Sequence, residues 1–306
     1  MDGEKTTWGV STHRLLAHAE DGGKRLDVLL AERIPELSRR RARLLIAAGA
    51  VSIDARRVLV QSRPVCAGQE IVCNLQAFSF PESEAAEPLT ILHEDAWLVA
   101  FDKPAGMPSH PTFARKVGTA LQIAEDQLRH REGRKVPLWP LHRLDAATSG
   151  ILLFAKTQPA ARAVNQNFAR RRVVKHYQAI VVGVPSPASG EIRLALAEGH
   201  LRSEPHATGK EAVTRYRVSK NVAGGRSLLE LEPLTGRMHQ LRVHLAAIGH
   251  PVVGDSKYGA REFRTTETRL MLHASRIELP HPGNGRPFVV ESPLPAAFHA
   301  EIERAE

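Results

Sequence analysis

The feature that most restricts the fold is the segment 141–154, where a polar block runs straight into an apolar one. Residues 142–150 hold a histidine, an arginine, an aspartate and two hydroxyls, and the apolar residues 151–154 are typical of a buried strand. A carboxylate beside such a strand must face a cleft, lose its charge or pair with a cation, because burying it unpaired is very costly. Asp145 therefore needs an explanation.

Length and composition limit the class of protein. A chain of 306 residues, 42% of them hydrophobic and 25% charged, is typical of a soluble protein with one large domain and a smaller one. Its longest apolar run, residues 44–51, is far shorter than the roughly 18 residues that a membrane helix needs. The first residues lack a signal-peptide pattern, so we expect a cytoplasmic protein with no membrane segment.

The charge of the chain points to a polyanionic partner. A net charge of +9 favours binding to phosphates, because clustered Lys and Arg release counterions when they bind. Charge by itself is ambiguous, since many basic proteins carry solvated arginines. The positions of the arginines in the chain must distinguish phosphate binding from a solvated surface.

The chain divides into four parts. Residues 1–23 show no period and are interpreted as a tail. Residues 24–75 predict a small domain with helices at 25–34 and 38–49 and strands at 50–53 and 70–75. Residues 76–88 contain three Glu, two Pro and no Lys or Arg, which is typical of a linker. The large domain extends over residues 89–306.

The second helix of the small domain has an unusual start. Arg39, Arg40, Arg41 and Arg43 crowd its first turns, where the helix dipole disfavours each positive charge by about 0.3–1 kcal/mol. A solvated face is the ordinary interpretation. However, residues 24–75 contain ten Lys and Arg against five Asp and Glu, a net of +5, so we expect Arg39, Arg40 and Arg43 to contact phosphate.

The small domain also resembles a known module. It is similar to the RNA-binding domain named after ribosomal small-subunit protein four, in about fifty residues. The similarity lies in Arg25-Leu26-Asp27, Leu37-Ser38-Arg39, Leu45-Ile46, Gly49-Ala50-Val51 and residues 67–71.

The large domain alternates irregularly between elements, and strands dominate. This pattern favours an α+β fold with a mixed sheet and helices around it, rather than a regular doubly wound fold. We predict strands at 97–101, 151–154, 173–182, 191–195, 212–218, 227–231, 269–279 and 288–290, and helices beginning near 119, 158 and 237.

Three blocks could carry chemistry: residues 142–150, 175–177 and 236–259. No Gly-x-Ser-x-Gly motif or phosphate-binding glycine loop is present. His239, His244 and His250 lie five and six residues apart, which does not present zinc ligands on one helical face. We therefore expect neither a metal nor a cofactor.

Taken together, the three blocks resemble the RluA-type pseudouridine synthases. Residues 142–150 are similar to the signature block around that family's aspartate, Lys175-His176-Tyr177 to its Lys-x-Tyr block, and residues 237–259 to its third block. Lys103-Pro104-Ala105-Gly106 adds to the similarity. The resemblance implies a mixed, mainly antiparallel sheet with surrounding helices, joined to a small α/β RNA-binding domain.

The resemblance also implies a reaction and its residues. The glycosidic bond of a uridine is broken, and the base is rejoined through carbon five. Asp145 would be the catalytic carboxylate, as nucleophile at the anomeric carbon or as base at the neighbouring carbon, and the sequence leaves both open. Arg242 would be its counter-ion, with Arg237 as second choice. Tyr177 would stack on the base, Arg143 would fill the space that the flipped nucleotide leaves, and Lys175 and Arg237 would contact RNA.

Other functions remain open at this point. The expected substrate is large-subunit ribosomal RNA, with transfer RNA as the alternative, and the expected state is a monomer. A non-catalytic RNA-binding or assembly factor would have lost Asp145, Tyr177 or the arginine. A glycoside hydrolase would need a second carboxylate beside the bond, for which Asp102 and Asp255 are the candidates.

Overall fold

The computed structural model describes residues 12–35, 37–47, 50–75, 87–111, 118–199, 202–222, 224–259 and 269–303. The chain forms two compact units, which divide between Ala86 and Glu87, inside the segment 76–88 whose composition is that of a linker. Each unit has its own hydrophobic core. The predicted linker itself lies mostly outside the described residues.

The small unit packs two helices on a four-stranded antiparallel sheet. The helices are α1 (Leu26–Arg33) and α2 (Arg39–Ala47). The strands are β1 (Thr12–Leu16), β2 (Val51–Ile53), β3 (Arg56–Arg57) and β4 (Glu70–Asn74), in the order β1-β4-β2-β3.

The prediction that residues 1–23 form a tail is wrong for one part of this segment. Residues 12–16 form β1, which pairs along its length with β4. None of its residues is fully buried, its sequence carries no apolar run, and its partner is more than fifty residues away. This segment forms a strand because it pairs with β4, which is distant in the chain, and not because of its local sequence pattern. Residues 1–11 lie outside the described part of the chain.

The large unit is built on a ten-stranded sheet. Its strands are β5 (Thr90–Glu94), β6 (Leu98–Lys103), β7 (Trp139–Pro140), β8 (Ser149–Ala155), β9 (Val174–Val182), β10 (Ser189–Arg193), β13 (Val213–Val222), β14 (Arg226–Pro233), β15 (Leu272–Pro280) and β16 (Pro287–Glu291). Their order is β10-β13-β14-β9-β15-β8-β6-β5, with β16 beside β15 and β7 beside β8. A separate hairpin joins β11 (Leu196–Glu198) and β12 (Ser203–Pro205).

The predicted fold class is confirmed. Every described strand pair is antiparallel except β8 with β15, so the sheet is mixed and mainly antiparallel. Helices surround it: α3 (Ala120–Glu132), α4 (Gln158–Ala169), α5 (Gln240–Ala247) and α6 (Ala296–Glu303). No helix in the described residues is long and apolar enough to cross a membrane.

Strand β8 carries the core on both faces and is buried at all seven positions. Leu152 and Phe154 belong to one hydrophobic cluster, and Ile151 and Leu153 to another, because successive side chains of a strand point to opposite faces. Gly150 in this strand has φ +110°, and a Cβ there would collide with the backbone of Ala274 on β15. Glycine therefore allows β8 and β15 to approach at the end where Asp145 lies.

Two helix starts show how local chemistry sets the boundaries. Helix α3 begins at Thr119, whose hydroxyl accepts the Gln122 N–H while the Gln122 side chain reciprocates, in a capping box. The helix predicted from residue 237 begins only at Gln240. His239 has φ +56°, which a right-handed helix cannot include, so residues 237–239 form a turn that leads into α5.

Candidate active site

A cleft of about 540 Å³ opens in the large unit. It lies where the segment 141–148 meets β9 and the segment 233–242. The three blocks singled out in the sequence are therefore neighbours in space. Six of the predicted site residues line the cleft: Arg143, Asp145, Lys175, Tyr177, Arg237 and Arg242.

Asp145 lies on a tightly held loop before β8. Thr148 donates its backbone N–H to the Asp145 carbonyl, which closes a turn. The next carbonyl, that of Ala146, accepts from the Gly106 N–H at 2.7 Å and from Lys103 Nζ at 3.2 Å. On the other side of the loop, the buried Ser109 hydroxyl donates to the Leu144 carbonyl at 2.7 Å and accepts the Leu144 N–H at 2.9 Å. The Asp145 side chain itself stays 21% exposed, so it faces the cleft on a rigid support.

The sequence did not indicate that Lys103 supports this loop, although Lys103 belongs to the block Lys103-Pro104-Ala105-Gly106. The side chain is fully buried, and its ammonium donates to the carbonyls of Pro104, Met107 and Ala146. Burial lowers the pKa of Lys103 to about 7, and the negative charge of Asp145 works against this. The signal was a lysine beside Pro and Gly directly after an apolar strand.

Arg242 on α5 connects two carboxylates. Its Nε and Nη2 donate to the two oxygens of Asp255, each at 2.7 Å, and its Nη1 faces Asp145 Oδ2 at 3.4 Å. The side chains of Arg242 and Asp255 are 5% and 0% exposed. The bidentate pair holds the guanidinium so that its remaining nitrogen points at Asp145. Burial opposes the charges, but the hydrogen bonds outweigh it: the pKa of Arg242 is raised and that of Asp255 is lowered.

Asp255 does not act as a second carboxylate in the cleft. Both of its oxygens are occupied by Arg242, and Oδ1 also accepts the backbone N–H groups of Lys257 and Tyr258. Its charge is therefore balanced inside the protein, and neither oxygen is available to a substrate.

Among the described residues, no other carboxylate serves as a second acidic group beside Asp145 in the cleft. Asp102 lies on β6 and is not among the residues that line the cleft. Glu198 does line it, but its oxygens accept from Lys210 Nζ at 2.8 Å and from the Met238 N–H at 3.2 Å. A hydrolase would need two carboxylates that flank the bond, so the arrangement around Asp145 does not favour hydrolysis.

Tyr177 and Lys175 face the cleft from β9, because they are two residues apart on one strand. Tyr177 lies opposite Ala274 on β15 and Leu231 on β14. Burial, together with the charge of Asp145, raises the pKa of the Tyr177 phenol. Burial lowers the pKa of Lys175. Tyr177 therefore stays a neutral phenol at physiological pH.

The other cleft residues have distinct places. Arg143 is exposed at the cleft. Arg237 also lines the cleft but donates Nε to the carbonyl of Glu211, so of the two candidate counter-ions it is Arg242 that lies against Asp145. The partly buried His142 accepts the Leu153 N–H, and desolvation lowers its pKa to about 3, so it stays neutral and supports the loop.

The three histidines of the third block serve separate purposes. His239 lies near Asp145, with Nε2 to Oδ2 at 3.8 Å. His244 donates to the carbonyl of Leu194, and His250 to that of Val182. Within the described residues, no group of three His, Cys, Asp or Glu side chains is arranged to hold a metal ion.

The arginines of the small unit surround a buried aspartate. Asp27 on α1 is fully buried and accepts from the side chains of Arg25, Arg39 and Arg43, which remain 41%, 54% and 47% exposed. Burial opposes the charge of Asp27, but the guanidinium groups outweigh it and hold its pKa at about 2. Asp27 thus explains how positive charge is tolerated at the start of α2. The side chain of Arg40 lies outside the described part of the structure, and contact of these arginines with RNA stays a prediction.

Comparison with known proteins agrees with both units. Residues 97–247 match the family described as RNA pseudouridylate synthase, and residues 24–71 match the S4 domain. The chain is 35% identical to ribosomal large subunit pseudouridine synthase D of Xylella fastidiosa, over 89% of this chain and 86% of that one. It is 37% identical to the dual-specificity RNA pseudouridine synthase RluA of Escherichia coli, over 67% of this chain and 93% of that one.

A solved structure leads to the same conclusion. Human RNA pseudouridylate synthase domain containing 4 is similar with a TM-score of 0.61 and 29% identity, over 70% of this chain and 92% of that one. The family match, the relatives and the fold show an RNA pseudouridine synthase. The chain belongs to the RluA-type pseudouridine synthases and carries an N-terminal S4 domain.

Proposed function

We propose that this enzyme isomerises uridines in large-subunit ribosomal RNA and that Asp145 acts on the ribose of a nucleotide flipped out of the RNA. The observation that carries the catalytic part is the Asp145 carboxylate, which faces the cleft with the Arg242 guanidinium on one side. A carboxylate that attacks the anomeric carbon or takes the neighbouring proton must be held in a fixed orientation towards the substrate, and the Arg242 guanidinium beside Oδ2 provides that.

The choice of RNA rests on the relatives. The relative from Xylella fastidiosa, whose name refers to the large ribosomal subunit, is aligned with 89% of this chain. The Escherichia coli relative named as dual-specificity is aligned with only 67%. The first therefore supports ribosomal RNA for a chain with this S4 domain. Transfer RNA is the second candidate substrate.

The cleft supports base flipping. A uridine inside a helix hides its sugar face, so the nucleotide must leave the stack at a cost of a few kcal/mol. Tyr177 offers a neutral aromatic face on which the base stacks. Arg143, exposed at the cleft, takes the space that the base leaves. Lys175 and Arg237 add positive charge along the same cleft.

The proposal is tested by mapping pseudouridine in total RNA from cells with and without this protein. We expect one or a few sites in large-subunit ribosomal RNA to disappear without it and to be restored by the wild-type chain, but not by Asp145→Asn. Sites that disappear only from transfer RNA would reassign the substrate. An unchanged map in both RNAs would contradict the proposal.

The arginines around Asp27 provide a test of the small unit. Replacing Arg39, Arg40 and Arg43 with Ala should weaken RNA binding and make its salt dependence shallower. The logarithmic slope should fall by about 0.7–0.9 for each phosphate that the protein no longer neutralises, the range between single-stranded and duplex nucleic acid. The measurement is RNA affinity of the full chain over a series of salt concentrations.

A matched control separates position from charge. Arg56, Arg57 and Arg63 are exposed in the same unit, and replacing them with Ala removes the same three charges elsewhere. Their loss should change the affinity less. Equal effects in both triple variants would show that net charge, rather than the cluster around Asp27, matters. Circular dichroism of both variants confirms that the chain is folded.

A further inference from the structure

His239 is held beside Asp145 by contacts on several sides. It stands at the turn before α5 with φ +56°, a strained conformation for a residue with a side chain. The preceding N–H, that of Met238, donates to Glu198 Oε1 at 3.2 Å. The imidazole is 10% exposed, lines the cleft and points Nε2 at Asp145 Oδ2, 3.8 Å away. A strained backbone that is anchored in this way fixes where the ring can lie.

The contacts of His239 with Tyr258 and Asp145 together favour one of its two neutral tautomers. The Tyr258 hydroxyl oxygen accepts the Ser203 N–H at 2.9 Å and lies 2.8 Å from His239 Nδ1. Burial raises the pKa of Tyr258, so the phenol keeps a proton to donate to Nδ1. The opposite arrangement would turn the lone pair of Nε2 towards a carboxylate oxygen. The tautomer with the proton on Nε2 satisfies both neighbours, because Nδ1 then accepts from Tyr258 and the Nε2–H faces Asp145.

Two donors converge on one oxygen of Asp145. Arg242 Nη1 is 3.4 Å from Oδ2, and His239 Nε2 is 3.8 Å from the same atom. Among the residues that the structure describes, none donates a hydrogen bond to Oδ1. The two oxygens of the carboxylate are thus chemically different in this cleft.

We propose that His239 is a positioning residue, which together with Arg242 holds Oδ2 and leaves Oδ1 as the oxygen that meets the ribose. The inference rests on the proposed catalytic role of Asp145. A separation of 3.8 Å is longer than a hydrogen bond, but donors in substrate-free sites tighten when the substrate binds. Tyr258 acts one step further away, because it sets the donor form of His239.

The test compares single-turnover rates with RNA affinities. Asn tolerates positive φ but is too short to reach Asp145, so His239→Asn should slow pseudouridine formation about 10- to 100-fold with RNA affinity within about twofold. His239→Gln has a longer side-chain amide that can donate, and it should recover most of the rate. Tyr258→Phe leaves the proton of His239 free to move between its nitrogens, and it should slow turnover by about three- to tenfold.

The control is His299→Asn, because His299 is exposed on α6 and is not among the residues that line the cleft. It should keep the wild-type rate. A His239→Asn rate within twofold of wild type would overturn the inference, and so would a loss of rate that merely follows a loss of RNA affinity. Failure of His239→Gln to exceed His239→Asn at equal affinity would overturn the donor role.

The proposed function fails separately. If Asp145→Asn kept turnover, the role of Asp145 would be refuted whatever the His239 variants did. If Asp145→Asn were inactive while the His239 variants worked at the wild-type rate, only the inference about His239 would be overturned.

Discussion

Asp145→Ala protein should form no measurable pseudouridine, with a rate at least about 10⁴-fold below wild type, while it still binds RNA. The change removes the carboxylate that we propose acts on the ribose, but it leaves Arg143, Lys175 and Arg237 along the cleft. Because the hydrogen on carbon five leaves during the reaction, release of tritium from RNA labelled at that carbon measures the rate. RNA affinity is measured separately by titration.

Asp126→Ala is a suitable control for this change. Asp126 is 53% exposed on α3 and forms a surface salt bridge with Arg129, so its removal should alter neither rate nor affinity. Turnover by purified Asp145→Ala would refute the proposed mechanism. If Asp145→Ala lost both RNA binding and turnover, Asp145 would support the structure of the cleft rather than take part in the chemistry.

Arg242→Lys should have the second largest effect, with a rate at least about 100-fold lower and a free energy of unfolding lower by about 2 kcal/mol. Arg242 makes two hydrogen bonds to Asp255 and turns a third nitrogen to Asp145. A lysine keeps the charge but has one nitrogen, which cannot serve both carboxylates. Asp255 would then stay buried with a poorer partner. Single-turnover rates and urea unfolding measure the two effects.

Arg129→Lys is the matched control, because Arg129 is 55% exposed and is not among the residues that line the cleft. It should change neither quantity. If Arg242→Lys kept both the rate and the stability, the charge of Arg242 alone would be sufficient, and its fixed geometry would be irrelevant. A loss of stability with an unchanged rate would make the residue a support for α5 and nothing more.

Much of the fold could be predicted from the chain because local signals were strong. The apolar residues 151–154 predicted a buried strand, and β8 is buried throughout. Thr157 followed by Pro159 predicted the start of α4, where the Thr157 hydroxyl accepts the Ala160 N–H. Strand β1 and helix α6 were not predicted, because these segments adopt their secondary structure through contacts with distant parts of the chain.

The site divides in the same way. The three blocks and Asp145, Tyr177 and the arginines could be identified because their residue types stand together in the sequence. The resemblance favoured Arg242 over Arg237, but nothing in the sequence showed what holds the Arg242 guanidinium in place. It is held by Asp255, which comes thirteen positions after Arg242 and returns to it across the end of α5. The histidine before α5 could be considered only as a metal ligand until the tyrosine and the aspartate on either side of its ring were known.

The sequence by itself therefore determined the class of enzyme, the strands that carry the core and the candidate carboxylate Asp145, because these are recorded in short runs of neighbouring residues. Only the tertiary structure decided that Asp255 fixes the Arg242 guanidinium, that the His239 ring lies beside Asp145 and that Asp27 balances the arginines of α2. These depend on distances between residues far apart in the chain. Burial makes each of these ion pairs selective, because a charge removed from water is stabilised only by a partner in a suitable geometry.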